Sequence, residues 1–79
     1  RMEFELKTYS ERKYEQGLLR EAQEMVLEVV EVKLGRVPEV LKREIEREQD
    51  RGKLKRLHRE LIISLDPEKT LLNFGYSLD

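Results

Sequence analysis

The chain has no cysteine, no tryptophan, one histidine, two prolines and four glycines among its 79 residues. Without cysteine there is neither a disulfide nor a thiolate metal site, and a single histidine does not make a histidine-based metal centre. No cofactor is expected. Three Tyr and two Phe are the only aromatics, too few to make a base-stacking platform. No apolar run approaches the ~20 residues of a membrane span, and there is no signal-peptide pattern. The expected location is the cytoplasm, with no membrane partner. Charge of one sign is lacking too: 16 basic residues face 17 acidic ones, so no global pull toward nucleic acid or membrane exists. A core this small is marginal alone. With disulfides and metals excluded, oligomerisation is the remaining stabilising device.

What is present is charge and helical periodicity. Charged residues make up 42% and hydrophobic ones 38%. Met2, Phe4 and Leu6 alternate with Glu3, Glu5 and Lys7, a period of two that predicts a short extended arm over residues 1–8. Arg1, ahead of Met2, reads as a remnant before a start methionine. Thr8 and Glu11 form a T-x-x-E capping box, which starts a long first helix over 9–34, with Gly17 as a point of fraying or breakage. Gly35 closes it as a left-handed cap. Val37-Pro38 opens a second helix over 38–49, with Val37, Leu41 and Ile45 in one stripe and Val40 beside it. Asp50 caps a third helix over 51–64, carrying Leu54, Leu57, His58, Leu61, Ile62 and Leu65 at helical spacing. Asp66-Pro67-Glu68 starts a short fourth helix over 67–74. The tail from Tyr76 is expected to be loose, with Tyr76 and Leu78 able to pack back. The fold class is therefore all-α: one small domain, a bundle of three main helices plus a short C-terminal one.

The first helix is too apolar for a surface helix. At ~100° per residue, Leu18, Ala22, Met25, Val29 and Val32 form one heptad-like line, with Leu19, Val26 and Val30 beside it and Leu27 and Leu34 beyond. Together they span roughly 220°, where about 100° would suffice. Either the chain's own later helices wrap this helix, or a second copy covers part of it. The later helices are few and short, which favours a symmetric homodimer through Leu18, Leu19, Ala22, Met25, Val26, Val29 and Val30. Burying them between two chains, at ~25 cal/mol per Å² of apolar area, would drive association.

Catalytic patterns are weak. Glu5-Leu6-Lys7 has the acidic-x-Lys form that places two side chains on one face of a metal-dependent nuclease strand. The upstream Asp of that motif is missing, and a solvated segment accounts for the triplet. His58 has no positioned nucleophile or carboxylate to make a triad. No enzyme is expected. The one basic cluster is RGKLKRLHRE, with Arg51, Lys53, Lys55, Arg56 and Arg59. It is a candidate phosphate contact for nucleic acid. Its plainer reading is a solvated face paired with Glu44, Glu46 and Glu48 of the acidic second helix.

Three stretches carry a family resemblance: Glu15-Gln16-Gly17-Leu18, the run Leu34-Gly35-Arg36-Val37-Pro38-Glu39-Val40-Leu41 followed by Ile45, and KLKRLHRELII over 53–63. Over residues 15–74 the chain resembles the helical C-terminal region of bacterial Rpn-type proteins, the recombination-promoting nucleases or PD-(D/E)XK nuclease family transposases. The family's nuclease domain has no counterpart in these residues. The resemblance implies a non-catalytic helical module for association, or a scaffold for a nuclease-type protein partner.

Overall fold

The computed structural model describes residues 2–78, with side chains from Tyr14 to Leu78. Four helices follow one another: α1 (Met2–Leu34), α2 (Glu39–Arg47), α3 (Arg51–Ile63) and α4 (Pro67–Asn73). The described residues contain no strand, so the all-α expectation holds. The extended arm does not form. α1 begins at Met2 and runs through the Thr8–Glu11 box. Met, Glu, Phe, Leu and Lys are all at least tolerable in a helix, and a lone strand has nothing to pair with.

Local chemistry ends each helix. Gly35 takes φ +81°, and its N–H donates to Glu31 O at 2.8 Å, stopping α1 with a left-handed cap. Pro38 is the N-cap of α2, one residue before the helix, and its carbonyl accepts from Lys42 N at 2.9 Å. Asp50 caps α3 by accepting from Lys53 N at 3.1 Å. Asp66 caps α4 in the same way through Lys69 N at 3.1 Å, with Pro67 in the first turn.

α1 is the central element; α2, α3 and α4 all pack on it, and α4 also packs on α3. α2 turns back along α1, so that Gln23 Nε2 donates to Glu48 O at 2.8 Å and to Glu46 O at 3.2 Å. These bonds satisfy carbonyls at the end of α2 that have no helical partner. α3 then returns in the direction of α1. The core is Ala22, Val26 and Val30 of α1, Leu41 and Ile45 of α2, Leu54, Leu57 and Leu61 of α3, then Leu71 and Tyr76. Ile62 and Leu65, which fit the stripe of the third helix by spacing, are exposed instead.

The tail is folded back. Tyr76 N donates to Leu71 O at 3.1 Å and Gly75 N to Leu72 O at 3.0 Å, with Gly75 at φ +89°. This pair of bonds is a Schellman motif, and it turns Tyr76 into the core beside Leu71. Ser77 N then donates to Glu44 Oε2 at 2.9 Å, tying the tail to α2.

Candidate functional site

The later helices cover only one side of α1. Ala22, Val26 and Val30 are buried in the chain's own core, and Leu19 and Val29 pack partly against it. This corrects the expected self-association surface: Ala22, Val26 and Val30 are not available to a second copy. On the other side Met25 is 43% exposed and Val32 78% exposed, with Ile62 of α3 at 51%. At ~100° per residue, Tyr14, Leu18, Met25 and Val32 fall within about 40° of arc.

A groove of about 380 Å³ lies between α1 and α3. Its apolar lining is Leu18, Ala22, Met25 and Ile62; Arg51, Lys55, His58 and Arg59 come from α3 and Glu21 from α1. Arg51, Lys55, His58 and Ile62 stand four, three and four residues apart, which puts them on one side of α3. Toward the start of α3 the groove continues into a second hollow bounded by Glu15, Leu19 and Gln49. The apolar seam and the basic cluster, separate in the sequence, thus form two walls of one feature.

The basic cluster is divided. Arg51, Lys55 and Arg59 edge the groove, while Arg56 lies further round, in a hollow with Glu60, Thr70 and Phe74. Lys53 is not part of the face at all. Its Nζ lies 3.2 Å from Glu48 Oε1 and 4.7 Å from the centre of the Tyr76 ring. The Tyr76 hydroxyl donates to the same Glu48 oxygen at 2.8 Å. That hydrogen bond, with Asp50 N–H and Lys53 behind it, holds the Glu48 carboxyl below its ordinary range. Burial first, and Glu48 second, push the Tyr76 hydroxyl well above its ordinary value.

The expected pairing of basic α3 with acidic α2 is therefore confined to the Lys53–Glu48 contact. Among the described residues, the salt bridges are this one and Arg43–Glu39 within α2. Arg51, Lys55, Arg56 and Arg59 are exposed and make no salt bridge there.

Beyond the apolar seam comes an acidic stripe that starts with Glu21 at the edge of the groove and ends beside Arg36 and Lys42, where α1 turns into α2. Glu21, Glu24, Glu28 and Glu31 are all exposed and fall within about 80° of arc at ~100° per residue. Crossing the surface from α3 to α1, the order is basic, apolar, acidic. This order is not apparent from the sequence alone. The E-x-x-E-x-x-x-E-x-x-E spacing was a signal for it, but which flank of α1 faced α3 was not.

The Glu5 and Lys7 side chains lie outside those described. The backbone there is helical, so the strand on which they would share a face is not formed. Among the described residues, no group of three His, Asp or Glu side chains is placed to hold a metal. No helix there is long and apolar enough to cross a membrane. Compared with known proteins, the chain matches no family model, no curated protein and no solved structure.

Proposed function

We propose that this chain is a non-catalytic helical interaction module that self-associates as a homodimer through the uncovered side of α1. One observation carries the reading: Leu18, Met25, Val32 and Ile62 form an apolar strip on or beside the α1–α3 groove, outside a core that is already closed by ten buried side chains. Apolar strips rimmed by charge mark interaction surfaces. The interface is narrower than the periodicity of the first helix suggests, because its other half serves the monomer. Light scattering on a gel-filtration peak tests this. The expected result is a dimer that Met25→Glu together with Val32→Glu converts to a folded monomer. A wild-type monomer at high micromolar concentration overturns it. The resemblance to Rpn-type proteins adds a nuclease-type protein as a candidate heterologous partner for the same strip.

The second reading is a nucleic-acid-binding accessory domain using Arg51, Lys55, Arg56 and Arg59. It draws on their exposure and lack of ion-pair partners among the described residues. The acidic stripe on α1 weighs against it, since it repels phosphates approaching the groove. A salt-dependent mobility shift with duplex DNA, lost on reversing those charges, would favour this reading.

A further inference from the structure

The order of the three strips decides how two copies can meet. A dimer related by a two-fold axis uses the same patch on both chains. Consider the basic–apolar–acidic surface laid face to face on itself. If the axis runs along α1, the partner's order is reversed across the contact. Basic then meets acidic on both flanks and apolar meets apolar between them. If the axis runs across α1, the partner's order is preserved. Basic then meets basic and acidic meets acidic. The first operation leaves the two α1 helices parallel, and the second makes them antiparallel.

Building on the self-association reading, we infer that the occupant of the α1–α3 groove is α1 of a second copy, lying parallel to the first. In this arrangement Leu18, Met25 and Val32 of each chain face the partner's seam. Glu21 and Glu28 of each chain lie along the partner subunit's α3, against its Arg51, Lys55 and Arg59. The axis runs along the helices, so each residue stays level with its own counterpart. The basic side chains edge the same groove that Leu18, Glu21 and Met25 line, so the opposite charges come together without sliding one helix past the other. The seam is spaced seven and seven residues, from Leu18 to Met25 to Val32, a repeat that keeps two packed helices in contact whichever way they run, so the direction is set by the charged strips. Glu21 and Glu28 alone, across a bare helix pair, would repel their counterparts. The α3 cations on each flank convert that repulsion into pairing.

The test is a charge swap read by light scattering. One variant carries Glu21→Lys and Glu28→Lys; the other carries Arg51→Glu, Lys55→Glu and Arg59→Glu. All five residues are exposed, and circular dichroism checks that each variant folds. Each variant alone is expected to be monomeric where wild type is dimeric, and an equimolar mixture is expected to restore the dimer. Wild-type dimerisation is also expected to weaken at least about tenfold between low and high salt, since several modest surface pairs are screened together. That salt series, which needs no variant, separates the two axes: an antiparallel dimer strengthens with salt. A wild-type dimer that is unmoved or strengthened by salt, or a mixture that stays monomeric, overturns the parallel arrangement while leaving self-association standing. A wild-type monomer overturns both.

Discussion

The two apolar arcs of α1 do different things. One presents Ala22, Val26 and Val30 to α2, α3 and α4 and is closed. The other presents exposed Met25 and Val32, with half-buried Leu18, between a basic and an acidic strip. Hydrophobicity alone does not distinguish them. The charges do: the buried side is flanked by helices of the same chain, while the exposed side lies between Arg51, Lys55 and Arg59 of α3 and the exposed glutamates of α1, none of which makes a salt bridge among the described residues. A helix that looks too apolar for a surface position can thus serve a monomer core and an interface at once.

The covered side is the costlier one to disturb. Leu57→Ala removes a fully buried side chain and should cost about 2–5 kcal/mol, a large share of the stability of so small a domain. Urea denaturation measures it. Met25→Glu on the exposed side should leave denaturation of the monomer nearly unchanged, because its cost falls on association.

Next comes the corner that seals the tail. Tyr76→Phe removes the hydroxyl bonded to Glu48 and should cost about 1.5–3 kcal/mol, the range for hydrogen bonds to charged groups. The same pair sets a pH window. The Glu48 carboxyl is depressed in the fold, so its contribution is present above its ordinary value of 4.5 and lost as pH falls through the lower folded value. The Tyr76 hydroxyl is raised in the fold, so its contribution is present below its ordinary value of 10 and lost progressively as pH climbs above that. Thermal melts should therefore hold steady through neutral pH and fall at both ends. The alkaline fall should shrink in Tyr76→Phe.

The smallest effect is at Gly17. It is exposed within α1, and an added Cβ there meets nothing within 4 Å. Gly17→Ala should stabilise the helix by about 1 kcal/mol. A destabilised variant would mean that this stretch of α1 is not helical in solution.

Much of the fold was legible in the sequence because its boundaries are chemical. Asp50 and Asp66 each accept a backbone N–H three residues on, and Gly35 and Gly75 take the positive φ that ends a helix. The N-terminal arm misled because Met2, Phe4 and Leu6 alternate, a pattern that says nothing about whether a partner strand exists. The tail was half legible: Gly75 marks the turn that brings Tyr76 back, while the bond from Tyr76 to a carboxylate 28 positions earlier is a tertiary contact with no local signature. The candidate site was half legible. Its apolar seam and its basic residues were both apparent, but their meeting in one groove depends on α3 running alongside the Leu18 flank of α1. For the same reason Lys53, two residues from both Arg51 and Lys55, belongs to the opposite side of α3.

A single cysteine distinguishes the parallel dimer from the antiparallel one. The chain has none of its own, so Val32→Cys introduces a single thiol on the exposed seam. In the parallel dimer this residue lies level with its counterpart, within reach of a disulfide. Mild oxidation should yield a covalent dimer, suppressed when Met25→Glu is added. If Val32→Cys alone stays unlinked while a mixture of Leu18→Cys and Val32→Cys chains cross-links, the helices run antiparallel, and the account of the charged strips is wrong.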